Sequence, residues 1–323
     1  MADVSVVVPC YKAERFVEKT IESCFSSIGL DVEVIVVEDG VFDHTSSIVE
    51  KLSSKYSGKI KHIVNEINLG APATRNIGFR EANSDYVLFL DSDDYIEGGL
   101  LEGLFKSISQ SNCSLAFAPC RKEYVSSGKS SVFYPTAGES SYDVVYRWLI
   151  GMSGPGTCSV LWRISELERI GAWREDMVRN QDGEVIIRAM LSGCTVTSSM
   201  YGFGVYVHRN VSSVSKRRDL EGYRSQKEIV DFVEGRISDN KEQFGYLENA
   251  LLTFIFNTAV DAYFHGYIEV AESWYELWRR LGGNWKKLPD NTFRMRVKRI
   301  IALAFGPKGL SNFTSILRLL RRF

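Results

Sequence analysis

The stretch "VLFLDSDDYI", residues 87–96, runs four apolar residues straight into three acids within four positions. Four apolar residues in a row read as a strand buried on both faces. Asp91, Asp93 and Asp94 then crowd the end of that strand. Like charges so close repel, and a desolvated carboxylate is costly unless something positive neutralises it. Either the acids are solvated in a turn before a helix, whose positive end favours them, or they hold a cation. Asp91 and Asp93, at alternate positions, can aim at one point. Mg2+ and Mn2+ prefer carboxylate oxygens, and Mg2+ usually takes one or two of these plus substrate phosphates. An Asp-x-Asp triplet alone does not separate the two readings.

The surrounding pattern alternates strand and helix. Apolar runs at 4–9, 32–37, 60–65, 86–90 and 114–119 alternate with helical periodicity at 13–27, 45–53, 71–82 and 98–110. Strands apolar throughout and separated by helices predict a mostly parallel, Rossmann-like α/β sheet covered on both faces. In such sheets ligands bind beyond the carboxyl ends of the strands. The predicted strands end in Pro9-Cys10-Tyr11, Glu38-Asp39-Gly40, Asn65 to Asn68 and Asp91 to Asp94, which should gather along one edge. Asp39 suits hydrogen bonding to a base or ribose, or a turn in which Gly40 supplies a positive φ. Arg75, in "NLGAPATRNIGFREA" (68–82), suits a phosphate or an aspartate to be oriented; an ordinary surface arginine is the plainer reading.

Composition is that of a globular protein: 323 residues, 45% hydrophobic, 24% charged, net charge −1. That balance argues against a nucleic-acid binder. Six scattered cysteines without a CxxC pair predict reduced thiols inside a cell rather than disulfides or a zinc site. No signal peptide is expected, and no run of eighteen apolar residues predicts a membrane span. The region 121–215 is mixed, with a strand near 159–162, helices near 165–170 and 181–192, and a strand near 194–200. Beyond 219 the pattern is helical. Residues 291–323 carry eight Lys and Arg and no acid, interleaved with apolar residues. Such a helix suits an anionic membrane surface, or packs its apolar side on the protein.

Together the four strand-end motifs resemble glycosyltransferase family 2, with its GT-A nucleotide-diphosphosugar fold. "VSVVVPCYKAERFVEKTIESC" is similar to the family's first strand and helix, and "VEVIVVEDGVFDHT" to its second strand and base-binding loop. "NEINLGAPATRNIGFREANSDYVLFLDSDD" resembles its Asn-x-Gly…Arg-Asn-x-Gly helix leading into the metal-binding DxD. The resemblance implies that Pro9, Tyr11, Asp39, Arg75, Asp91 and Ser92 bind the nucleotide sugar, while Asp93 and His208 meet Mn2+ or Mg2+. Two departures stand out: Lys12 where the family often has Asn, and Glu38-Asp-Gly-Val-Phe-Asp43 where it has Asn-Asp-Gly-Ser-Thr-Asp. "GAWREDMVRNQDGEVIIRAML" (171–191) resembles its catalytic stretch and makes Asp182 the base, with Asp176 and Glu184 in reserve. An acid in a first helical turn also stabilises the helix dipole. Trp162 and Trp173 suit sugar stacking or the core.

The expected reaction is inverting transfer from a nucleoside-diphosphate sugar, UDP-linked for preference, to a saccharide hydroxyl, in cell-surface glycan assembly. Residues 1–215 would form the catalytic domain (1–120 for the donor, 121–215 for the acceptor) and 216–323 a helical region. The basic tail suggests a lipid-linked acceptor and a cytoplasmic protein resting on the inner membrane face. Two alternatives stand: a haloacid-dehalogenase-like phosphatase with Asp91 as nucleophile, though Tyr95 stands where it wants Thr or Val, and a non-catalytic sugar-nucleotide-binding module.

Overall fold

The computed structural model describes residues 2–27, 29–40, 43–152, 154–209 and 217–284. The basic stretch 291–323 lies outside them. The described residues form two compact units. One comprises those within Met1–Val144, Ser153–Met177 and Gln181–Ser212; the other comprises Val145–Met152, Val178–Asn180 and those from 217 onward.

Eleven strands are β1 (Val4–Cys10), β2 (Val32–Asp39), β3 (Ile60–Asn65), β4 (Tyr86–Phe89), β5 (Tyr95–Glu97), β6 (Leu115–Phe117), β7 (Cys120–Tyr124), β8 (Lys129–Phe133), β9 (Val160–Arg163), β10 (Val196–Ser198) and β11 (Phe203–His208). The helices of the first unit include α1 (Val17–Cys24), α2 (Thr45–Lys55), α3 (Ala71–Arg80) and α4 (Leu100–Ser109). Next come α5 (Ser141–Leu149), whose residues from 145 on belong to the second unit, α6 (Ile164–Arg169) and α7 (Gln181–Leu191). Seven strands make the main sheet in the order β10-β6-β9-β4-β1-β2-β3. All neighbours run parallel except β9, which is antiparallel to both β4 and β6. This is the expected mostly parallel α/β sheet.

Its centre is apolar on both faces: Val6, Val7, Val8, Val34 to Val37 and Val87 to Leu90 are buried. β-branched residues suit this doubly covered position. Helix α3 lies close against it because residue 78 is glycine. A Cβ there would come within 2.5 Å of Val7 Cγ1. The register pairs Cys10 with Glu38 and Asp39 with Asn65, and Leu90 N donates to Val7 O. The carboxyl ends of β1, β2, β3 and β4 therefore share one edge, which is where the motif residues sit.

A second sheet, β5-β11-β7-β8, was not anticipated. Its outer strand β8 is exposed along nearly all its length, and β5 has only three residues. Neither carries an apolar run long enough to read. The single strand expected near 194–200 is instead the short β10, followed after a turn by β11. That turn needs Gly202 (φ 69°), because a Cβ there would meet the Leu100 backbone nitrogen at 2.4 Å.

The second unit is helical: α8 (Leu220–Asp239), α9 (Lys241–Phe244), α10 (Glu248–Phe264) and α11 (Ile268–Arg280). Val230, Val233, Leu251, Ile255, Phe256, Trp274 and Trp278 are buried in it. Asp261 is its polar hub, accepting from Arg218 Nε (3.0 Å), Arg179 Nη2 (3.1 Å) and the Tyr223 hydroxyl (3.2 Å). Burial alone would raise its pKa, but the two guanidinium groups outweigh burial and hold it below the ordinary carboxylate value. A depressed carboxylate contributes stability above its unfolded pKa and loses it as pH falls through the folded value. Asp261→Asn should therefore destabilise the chain near pH 7, and the difference from wild type in thermal unfolding should shrink progressively once the pH drops below about 4.

Candidate active site

Each of the three crowded acids has its own partner. Arg75, on α3, is buried and donates from Nη2 to Asp91 Oδ1 at 2.7 Å. Arg209, just after β11, donates from Nη1 to Asp93 Oδ2 (2.8 Å) and to the Asp93 carbonyl (2.7 Å). Asp94 points inward and accepts from the Val207 backbone nitrogen at 2.8 Å. The turn itself closes through Asp94 N to Asp91 O (2.9 Å), and the Thr20 hydroxyl is shared between the carbonyls of Ser92 (2.8 Å) and Asp94 (2.6 Å). Burial, then the negative charges of Asp91 and Asp93, push the Asp94 carboxyl well up. Burial and Asp91 also raise Asp93, despite Arg209. Negative charge is thus in excess at the end of β4 even with two arginines present.

Arg75 extends the cluster to the start of α7, the candidate catalytic stretch. Its Nη1 donates to Gln181 Oε1 (3.1 Å), and its guanidinium lies 4.5 Å from the Trp173 ring centroid. Burial opposes its charge, but Asp91 and Asp182 outweigh that, so the group stays charged. Asp182 follows Gln181 in the first turn of α7. Its pKa is raised, chiefly by burial and further by Asp91; Arg75 and the Thr157 hydroxyl pull the other way. The reserve acids are committed elsewhere: Glu184 to Arg188 (2.6 Å) and Asp176 to Arg174 (2.5 Å).

The base-side loop is built around Asp39. Its Oδ1 accepts from Leu69 N (2.8 Å) and Asn65 Nδ2 (3.1 Å), and its Oδ2 from Gly70 N (2.8 Å). Asp39 therefore shapes the 65–70 loop as well as being a base-binding candidate. Gly40 (φ 69°) lets that loop lie over the strand end: a Cβ would stand 2.2 Å from Asn68 N. Half-buried Pro9 closes β1, and Tyr11 is half exposed beyond it. Lys12 takes φ 54°, a left-handed conformation. Asn enters that region more readily than Lys, which gives a physical reason for the family's usual asparagine there.

Some expectations change. Trp162 and Trp173 are buried, 2% and 3% exposed, so neither offers a face to a sugar. Trp173 instead packs edge-on against Phe89 and underlies Arg75. The His208 ring lies against Tyr124 and Tyr206, while the neighbouring Arg209 reaches Asp93. Among the described residues no group of three or more His, Cys, Asp or Glu is gathered to hold a metal. Asp91 and Asp93 nevertheless fit Mg2+ or Mn2+: two hard oxygen donors, partly exposed and rich in negative charge, suit an ion that completes its shell with water and phosphate. Asn76 was missed as a positioning residue. It clamps Trp173 by accepting from its backbone nitrogen (3.0 Å) and donating to its carbonyl (2.8 Å). Its place beside Arg75 in the Arg-Asn-x-Gly motif was the available signal.

Residues 5–160 match the profile of Glycosyl transferase family 2. Over that stretch, just under half of its length, the chain is similar to family 2 glycosyltransferases. The glycosyltransferase GlyA of Streptococcus pneumoniae is 32% identical over 145 residues, 44% of this chain and 20% of its own. A Campylobacter jejuni GalNAc(5)-diNAcBac-PP-undecaprenol beta-1,3-glucosyltransferase is 32% identical over 111 residues, 34% of this chain and 36% of its own. The matches thus span well under half of these relatives' length. The crystal structure of Staphylococcus aureus TarS 1–349 with UDP-GlcNAc shares the fold, with TM-score 0.65 at 19% identity, covering 84% of this chain and 80% of that one. The family match over residues 5–160 favours the glycosyltransferase reading over the phosphatase and non-catalytic alternatives.

Gly40→Ala places a methyl group against backbone that cannot yield. Donor nucleotide binding should weaken on the order of tenfold or more as the 65–70 loop is displaced. Titration calorimetry with UDP checks this, and unchanged affinity would show that the loop does not shape the base site.

Proposed function

We propose that this chain transfers a sugar, with inversion, from a nucleoside-diphosphate sugar to a hydroxyl of a saccharide acceptor in cell-surface glycan assembly. The observation that carries the reading is Arg75, one buried guanidinium bonded both to Asp91 and to Gln181, the residue before Asp182. It ties the acid turn of the donor half to the start of the catalytic helix. TarS, whose structure contains UDP-GlcNAc, supports a UDP-sugar as donor.

Pro9, Tyr11 and Asp39 would line the base, with Asp91 and Ser92 toward the ribose. Asp93, and His208 as a candidate second ligand, would hold Mn2+ or Mg2+. That ion would offset charge on the departing diphosphate. Asp182 removes the proton from the acceptor hydroxyl while that oxygen bonds to the anomeric carbon on the face opposite the diphosphate. The carbon–diphosphate bond breaks, the anomeric configuration inverts, and the proton stays on Asp182. A single displacement needs no enzyme nucleophile.

A positioned base typically contributes ~10²–10⁴-fold, so Asp182→Asn should lower kcat by about that factor while the affinity for UDP is kept. Rate measured against UDP-sugars with Mn2+ tests this, and retention of most of the rate would remove Asp182 as base. Because its pKa is raised, chiefly by burial, the acid limb of the rate profile should lie above the ordinary aspartate range, with activity lost as pH falls through it. Arg75→Met removes the main opposing charge and should move that limb to still higher pH.

We assign the acceptor to the lipid-linked saccharides, at the cytoplasmic membrane face. The support is the basic, apolar composition of 291–323 and the lipid-linked substrate named for the Campylobacter relative. No helix among the described residues is long and apolar enough to cross a membrane. Removing 291–323 should abolish sedimentation with anionic vesicles; unchanged binding of the shortened chain would refute the membrane role.

A further inference from the structure

Arg209 makes two bonds to one residue, and that residue is the candidate metal ligand. Its Nη1 meets both the Asp93 carboxylate and the Asp93 carbonyl, while its guanidinium rests 4.0 Å from the Phe16 ring centroid. The stacked, doubly bonded group is well placed and only 21% exposed. It holds Oδ2, one of the two Asp93 carboxylate oxygens that a cation would use. A divalent ion and a guanidinium compete for the same carboxylate oxygen and repel each other. An incoming diphosphate changes that balance, because it supplies the anionic oxygens that a displaced guanidinium pairs with well, often through two parallel bonds.

We propose that Arg209 is a positioning residue that occupies Asp93 in the free protein and passes to the donor diphosphate when the metal arrives with it. The exchange replaces one Arg209–carboxylate pair by a metal–carboxylate bond and an Arg209–diphosphate pair, so no charge is left uncompensated. Its consequence is an order of binding. The free ion binds weakly by itself, and metal and nucleotide bind each other's complex far better than either binds alone. Arg75 is not equivalent, since it is buried and already committed to both Asp91 and Gln181. This inference rests on the site assignment above and adds the role of Arg209 to it.

The test is calorimetry on the full chain with Mn2+ alone, UDP alone, and UDP in saturating Mn2+. Arg209→Ala should tighten Mn2+ alone on the order of tenfold, by removing the competing cation. It should weaken UDP in the presence of Mn2+ by about tenfold, by removing a charge-assisted contact. Arg209→Lys keeps the charge but not the fork, so it should leave Mn2+ alone near wild type while still weakening UDP. Equal Mn2+ affinity in wild type and Arg209→Ala would overturn the inference, as would parallel weakening of both ligands. Should the wild-type chain bind UDP no better with Mn2+ than without, and Asp93→Asn behave like wild type, the underlying site assignment fails instead.

Discussion

Crowding three carboxylates at the end of a strand, one of them buried and two partly so, is possible only if each finds a partner of its own. An unpaired buried charge is among the most damaging features that a fold can carry. Here Arg75 takes Asp91, Arg209 takes Asp93 and the Val207 main chain takes Asp94. These partners come from three places in the sequence: the third helix, the residue after the last strand, and that strand itself. Meeting the requirement of one four-residue turn therefore ties the main sheet to the second sheet and to α3, whose Arg75 also reaches Gln181. Only a site already compensated in this way can stand ready for a divalent ion without being pulled apart in its absence.

The same turn explains how far the sequence could be read. Strands β1, β2 and β4 were legible because burial on both faces demands unbroken apolar runs, and the motif residues follow them directly. Their convergence along one edge follows from the parallel register, which is a property of the α/β class. The partners of the acids were only partly legible. Arg75, 16 residues before Asp91, could be read as suited to a phosphate or an aspartate, though not to which one. Arg209 lies 116 residues after Asp93, and nothing local marks an arginine as destined for a particular carboxylate across such a distance.

The second sheet was illegible for a different reason. Two of its strands, β5 and β8, are short or solvent-facing, so they lack the alternation that reveals a half-buried strand. The two tryptophans show the converse limit. An aromatic residue near a presumed sugar site carries no mark of whether it faces the ligand or supports it from below. Trp173 supports: with Phe89 beneath it and Asn76 holding its backbone, it forms a stiff floor for the guanidinium.

The contact between Asp94 and the nitrogen of residue 207 uses only main chain on one side. Any amino acid except proline supplies that donor, so the bond itself asks nothing of the side chain, and burial alone makes position 207 apolar. The join between the two sheets therefore leaves its mark on one partner only, the aspartate, and its cause is visible only in three dimensions.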